Sequence, residues 1–460
     1  MRKRVAVIGG GIAGLAAAVR LRDLTPPGTE IIVYEQGGVL GGKLRTGELA
    51  GRPVERGAES FLSAGPDGGE SAVVSLARHL GLGDALVHPA TVPAALSIGG
   101  RLTPVPGGTL IGVPGDLTQL GDVAHVAGAD RDEGHPLLAA GEDVAVGELV
   151  RARYGDEVVD RLVDPMLGGV YAGRADRLSL EVTMPQLAAT ARVEHTLQAA
   201  VRAAQAARTR AAGPVFTAVD GGMTRLVAAA ATASGARISL GLPVRDLSRT
   251  AHGWRLLLGP VPAPQTDDVD AVVLAVPAKP ASRLLAGISA EAAGVIGRLD
   301  YASVALAALA LPPGTPLPEL SGFLVPPSEG TLVKAATFFT RKWPHLGGES
   351  GAVIVRASLG RHGEEDRLQL ADEDLLARAR RELGELIGGE LPPPAASWIQ
   401  RWGGGLPQYT PGHHERVAFA RQQLPAGLAL AGAAFDGVGI PACVVSGERA
   451  AEDVSKSLEE

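Results

Sequence analysis

Near its start the chain runs Val5-Ala6-Val7-Ile8, an unbroken apolar block followed at once by Gly9-Gly10-Gly11. From Ala13 to Leu24 the apolar residues, Leu15, Val19 and Leu21 among them, recur at helical spacing until Pro26 and Pro27 stop the pattern. Ile31-Ile32-Val33-Tyr34 is a second strand-like block, so this stretch predicts a complete βαβ unit. Between Asp84 and about Gln205 the pattern is mostly helical, with a Pro/Gly-rich turn at Thr103–Gly108. Leu149, Val150, Val158, Leu162 and Leu167 mark one apolar face there. Strand patterns return at Arg237–Val244, Trp254–Leu258 and Ala271–Val276. The apolar block Ala302–Leu311 runs into a Pro-rich loop, and Gly351–Leu359 reads as another strand. Asp374–Ile387 predicts an amphipathic helix closed by Gly388-Gly389. Leu428–Ala431 predicts a last strand, then a glycine-rich turn and a helix from Cys443 onward.

Composition narrows the class. A chain of 460 residues exceeds one ordinary core, which predicts two or more domains. The net charge of −7 disfavours nucleic-acid binding, which needs a basic face. Cys443 is the sole cysteine, excluding an intramolecular disulfide framework and any Cys-based zinc site. The basic Met1-Arg2-Lys3-Arg4 start leads into a strand rather than a secretory signal. No run of 18 apolar residues is present, so no membrane-spanning helix is expected. The 62 glycines are roughly double ordinary usage, and their positions matter more than their number.

Gly9-x-Gly11-x-x-Gly14 lies between the first strand and helix, and Glu35 ends the next strand. That constellation is a dinucleotide site: Gly9 makes the turn, Gly11 admits the pyrophosphate to the backbone, and Gly14 allows close helix–strand packing. The helix start offers N–H groups to phosphate, and Glu35 suits ribose hydroxyls. The motif alone leaves FAD and NAD open. Gly41-Gly42-Lys43, shortly after the acid, favours FAD through a second backbone approach to the diphosphate. The turn Ala431–Pro441 joins a strand to a helix whose N-terminus would stabilise negative charge on a reduced flavin.

With these motifs in place, the chain resembles the FAD-dependent protoporphyrinogen/coproporphyrinogen oxidases, and among them the Gram-positive coproporphyrinogen type. The resemblance is carried by Gly9–Leu15, Glu55–Leu62, Gly155–Val159 with Gly169–Gly173, Lys342–His345 and Gly432–Pro441. It implies an α/β and α+β architecture: a Rossmann-like FAD-binding domain, a mixed-sheet substrate domain and a helical domain. The FAD domain would combine 1–46, 215–283 and 425–460. The substrate domain would use 47–107, 198–214 and 284–424, and the helical domain 108–197.

By the same resemblance, the FAD-contacting positions are Gly9, Gly10, Gly11, Ile12, Ala13, Gly14 and Glu35 near the start. Gly41, Gly42, Lys43, Gly57, Ala58, Glu59 and Ser60 follow, then Val244, Trp402, Gly432, Val438, Gly439 and Ile440. Core packing is the alternative role for Val244 and Trp402. The implied reaction removes six electrons from a porphyrinogen in three flavin cycles, with molecular oxygen reduced to hydrogen peroxide. Backbone at Gly169 and the ring of Tyr171 would place the macrocycle, while Arg174, Arg341 and Lys342 are candidates for its carboxylates. No metal-binding motif is present, and the adjacent His413-His414 pair is expected to be solvated.

Two departures from the family pattern bear on substrate. Ala58-Glu59 replaces the usual Pro-Asp, and Ser63-Ala64-Gly65-Pro66 lacks the basic residue commonly found there. Coproporphyrinogen III and protoporphyrinogen IX therefore both stay open. An amine oxidase, a carotenoid desaturase and a catalytically silent binding protein are the alternatives on this scaffold. The expected location is the cytoplasm or the inner membrane face. The apolar face of the helical domain fits internal packing, a membrane surface or a partner such as ferrochelatase.

Overall fold

The computed structural model describes residues 3–66, 68–208, 213–347 and 351–459. Met1 and Arg2 of the basic start, and 209–212, 348–350 and 460 of the expected domain segments, lie outside these residues.

The predicted βαβ unit is present as Arg4–Ile8, Ile12–Leu24 and Glu30–Tyr34. It anchors a five-stranded parallel sheet ordered Arg237–Ser239, Glu30–Tyr34, Arg4–Ile8, Ala271–Leu274 and Leu428–Leu430. Strand alternation explains its two covered faces. Val5 and Val7 enter the core with the helix Ile12–Leu24, whereas Ala6 and Ile8 pack toward Leu247, Trp254 and Leu256 of an antiparallel meander. The C-terminal helix Ile440–Glu459 crosses the first helix so closely that a Cβ on Gly447 would lie 2.1 Å from the Ala13 carbonyl oxygen.

The apolar block Ala302–Leu311 becomes the strand Asp300–Leu311, between Ala396–Gln408 and Val353–Leu359 in a seven-stranded mixed sheet. Its lack of polar alternation has a physical cause, because both faces are buried. Ala305, Ala307 and Leu309 meet the core under the helix Asp372–Ile387, and Leu306, Ala308 and Ala310 meet the core shared with the parallel sheet. That helix ends at Gly388, whose φ of 79° is left-handed, as its sequence predicts.

Two expectations are corrected. The predicted strand Arg237–Val244 breaks after Ser239, because Gly241 turns with φ 65° and Pro243 follows; Val244–Arg249 starts a separate meander strand. The stretch from Asp84 holds no α-helix until Val146–Tyr154; short strands such as Ala94–Ile98 and Arg101–Pro104, a 3-10 turn at Leu117–Gln119 and irregular segments come first. Prolines and glycines there interrupt the apolar periodicity.

The expected helical face is real and internal: Leu149, Val150, Val158, Leu162 and Leu167 are buried together. The helix Leu197–Arg208 joins this core through Leu197, Ala200, Val201 and Ala204. The packing unit thus runs past residue 197.

Candidate active site

A cavity of about 2400 Å³ extends from the glycine turn of the parallel sheet to the Gly169–Tyr171 turn. Drug-sized ligands ordinarily occupy about 300–1,000 Å³, so this volume suits a dinucleotide together with a second large molecule.

At the dinucleotide end the backbone does most of the shaping. Gly9 has φ 111°, and a Cβ there would meet the Ala275 carbonyl oxygen at 2.3 Å. A Cβ on Gly14 would meet the Gly9 carbonyl oxygen at 2.0 Å, so the helix approaches the turn this closely only because Gly14 has no side chain. Gly11 differs: it borders the cavity, and a Cβ there would meet no protein atom within 4 Å. The space beside it is therefore room for a ligand's approach to the backbone.

The Glu35 carboxylate accepts the Gly10 N–H at 2.8 Å and the Gly37 N–H at 2.7 Å, which fixes it at the cavity edge. Gly41 donates to the Gly10 carbonyl at 2.8 Å, docking the second glycine pair onto the first turn. Ile12, Ala13, Gly42 and Lys43 also border the cavity; Gly10 and Gly14 stand behind it. Burial lowers the Lys43 ammonium below its ordinary pKa. At the other end of the chain, Gly432, Val438, Gly439 and Ile440 border the same space at the start of the C-terminal helix. Val244 and Trp402 line it as well. Trp402 also packs against the core and donates Nε1–H to the Arg56 carbonyl at 2.7 Å, so one side chain both packs and borders the cavity. These loops fit FAD: the free face at Gly11, the held acid and the helix N-terminus match diphosphate, ribose and flavin in turn.

The loop 57–60 is fixed by charge. Gly57 crosses the Lys43 carbonyl so closely that a Cβ would lie 1.9 Å from its oxygen. Glu59, which borders the cavity with Ala58 and Ser60, binds Lys342 Nζ and, at 2.5 Å, Arg356. Arg356 also donates to the carbonyls of Glu55 at 2.9 Å and Gly57 at 3.0 Å. Burial acts to raise the Glu59 pKa, but Lys342 and Arg356 outweigh it and hold the carboxyl below its usual range.

The far end is built around the helix Asp164–Tyr171, which stops at left-handed Ala172 with φ 54°. Gly169 and Tyr171 border the cavity, and Gln408 Nε2 donates to the Tyr171 carbonyl at 2.8 Å. The Tyr171 ring meets Tyr409 edge-on at 6.0 Å, so it both packs and faces the cavity. Burial pushes its phenol up to about 12, keeping it neutral.

The basic candidates divide. Lys342 reaches the cavity, bound to Glu59. Arg174 pairs with buried Asp164 at 3.0 Å and Arg341 with Glu319 at 2.7 Å, and neither borders the cavity. The histidine expectation is corrected in part. His413 is 1% exposed against Tyr409, with burial pushing it down to about 4, while His414 is exposed. Adjacent helical residues point about 100° apart, so one neighbour is buried and the other solvated. Arg356 and Lys334, which sequence reasoning missed, also border the cavity. Each is a lone charge within an otherwise apolar or small-residue strand, the one signal that could have marked it.

A family model for flavin containing amine oxidoreductase matches residues 12–455. The coproporphyrinogen III oxidase of Mycobacterium tuberculosis is 37% identical over 467 residues, covering 98% of this chain and 97% of that protein. The Bacillus subtilis coproporphyrinogen III oxidase is 31% identical, with 98% of each chain covered. A crystal structure of an Exiguobacterium sp. 255-15 protein, described as a protoporphyrinogen oxidase, matches with a TM-score of 0.85 at 30% identity over 100% of both chains.

Proposed function

The chain belongs to the flavin-containing amine oxidoreductases and is an FAD-dependent oxidase, and from that premise we propose that it converts coproporphyrinogen III to coproporphyrin III with molecular oxygen. One observation supports this reading above others: a single cavity joins the dinucleotide loops to the Gly169–Tyr171 turn, with room for a macrocycle beside the cofactor. Bound FAD supplies the hydride acceptor, and oxygen is the final oxidant. Loss of six electrons and six protons from the porphyrinogen is balanced by three oxygen molecules becoming three hydrogen peroxides.

The protein's part is placement and electrostatics. Glu35 would hold the ribose end, and the backbone at Gly9–Gly14 and Gly41–Gly42 would face the diphosphate. The helix start at Ile440 favours negative charge on the reduced ring. Glu59, Lys342 and Arg356 keep the loop 57–60 rigid beside it. Gly169 and Tyr171 border the macrocycle on the opposite side.

The proposed function extends to peripheral membrane association at the cytoplasmic face and transient contact with a ferrochelatase. Leu62, Val170, Val215 and Phe216, between 41% and 50% exposed, border the cavity and supply an apolar rim. No helix among the described residues is long and apolar enough to cross a membrane. Vesicle flotation of wild type and a Leu62→Ser/Phe216→Ser variant tests the rim; equal flotation would remove it as a contact.

For the reaction itself, purified protein is given coproporphyrinogen III or protoporphyrinogen IX in air. Porphyrin fluorescence should rise faster with coproporphyrinogen III. A flavin-loaded protein that forms no porphyrin from it would overturn the assignment.

A further inference from the structure

Lys334 stands in the strand Val333–Phe338, in the middle of the seven-stranded sheet. Val333 opposes Leu359 and Ala335 opposes Ser358, so Lys334 is the extra residue of a β-bulge. The bulge changes which way side chains face. Val333 and Ala336 both enter the core beneath the helix Asp372–Ile387, although Ala336 also touches the cavity wall, whereas Lys334 and Ala335 border the cavity without joining that core. Regular alternation would have sent one of that second pair into the core.

The ammonium so redirected is poorly compensated. Lys334 is 4% exposed, and its Nζ donates to the Gly168 carbonyl at 2.9 Å, beside Gly169. An ammonium carries three donors. Among the described residues, no acidic side chain forms an ion pair with it. The nearby cations are already engaged: Arg356 by Glu59, and Arg361 by the carbonyls of Thr331 at 2.8 Å and Val325 at 3.0 Å. Lys342, Arg174 and Arg341 each have an acidic partner too. Burial, reinforced by Arg361 and Arg356, pushes the Lys334 ammonium down to about 7. A buried charge without a counter-ion is costly, so a carboxylate arriving in the cavity would be bound strongly there.

We propose that Lys334 anchors a carboxylate of the bound porphyrinogen, forming at the sheet an ion pair that the protein itself leaves open. This rests on the porphyrinogen reading above. It also provides, from another element, a basic contact that the loop 63–66 cannot offer.

The test uses coproporphyrin III and its tetramethyl ester, titrated by absorbance into flavin-loaded wild type, Lys334→Met and Lys334→Arg at pH 7. Lys334→Met should weaken coproporphyrin III about 10- to 100-fold, the range of a charged hydrogen bond, and leave the ester within about twofold. Lys334→Arg should retain most of the acid's affinity, and KM for coproporphyrinogen III should carry the loss while kcat changes little. Flavin absorbance per chain reports that each variant is folded; Lys334→Gln replaces the Met variant if that fails to hold flavin.

Equal weakening of acid and ester would reduce Lys334 to a packing role and overturn the proposal. So would a loss confined to kcat with affinity unchanged, which would make it a proton acceptor. If wild type binds and turns over neither porphyrin nor porphyrinogen, the porphyrinogen reading fails instead. If wild type does both and the variants do not discriminate, only the Lys334 assignment fails.

Discussion

The two ends of the cavity are made differently. At the dinucleotide end the shape comes from backbone: turns at Gly9, Gly14 and Gly57 leave room for no side chain. At the opposite end it comes from side chains brought together over long sequence separations, with Lys334 reaching Gly168 and Gln408 reaching Tyr171. The first arrangement serves a cofactor common to many enzymes; the second faces the molecule that this enzyme must tell apart from others. Backbone sites tolerate almost no substitution, whereas side-chain sites are tunable one charge at a time.

The largest effect should come where the two ends meet. Glu59→Ala leaves the half-buried Lys342 and Arg356 without their acid, and should destabilise the protein by about 3 kcal/mol in urea unfolding, the low end for a buried pair. A loss under about 1 kcal/mol would mean the triad is not a structural clasp. Because the folded Glu59 carboxyl lies below its ordinary 4.5, its contribution is present above that value and fades as pH falls through the lower folded value. Wild type should therefore lose stability on that acid side more steeply than Glu59→Gln.

Next come two glycines three residues apart. Gly14→Ala forces a Cβ to 2.0 Å from the Gly9 carbonyl oxygen and should cost about 2–3 kcal/mol even without flavin. Gly11→Ala meets no protein atom, so apo stability should change by less than about 1 kcal/mol while FAD affinity falls at least about tenfold. Thermal unfolding and flavin titration of both variants separate the two roles. Equal effects in both assays would erase the distinction between folding glycines and ligand-facing ones.

The most gradual signal, spread over several pH units, belongs to the substrate end. Lys334 titrates near 7 when folded and at its ordinary 10.5 when unfolded, so between those values the unfolded chain binds more protons. Substrate-free stability should rise with pH across that window, by up to about 1.4 kcal/mol per unit, and Lys334→Met should flatten the slope. An unchanged slope in the variant would assign the titration elsewhere.

How legible each end was in the sequence follows from the same difference. Gly9, Gly11, Gly14 and Glu35 act within one βαβ unit, so spacing alone predicts their roles. The seven-stranded sheet was harder: Ala302–Leu311 carries no alternation because both its faces are covered. Lys334 depends on a bulge against Leu359 and Ser358, a register that no local pattern encodes. Arg174 and Arg341 have the charge a substrate carboxylate needs, but Asp164 and Glu319 hold them. His413 and His414 share a dipeptide but not an environment, which only the helix orientation decides.

The central claim is that one cavity brings a flavin and a porphyrinogen together for oxidation. Oxygen uptake and porphyrin fluorescence, recorded together on flavin-loaded wild type with coproporphyrinogen III, test it most directly. The expected result is three oxygens consumed per coproporphyrin formed, at a rate above spontaneous oxidation. Flavin-loaded protein that leaves the spontaneous rate unchanged would contradict it.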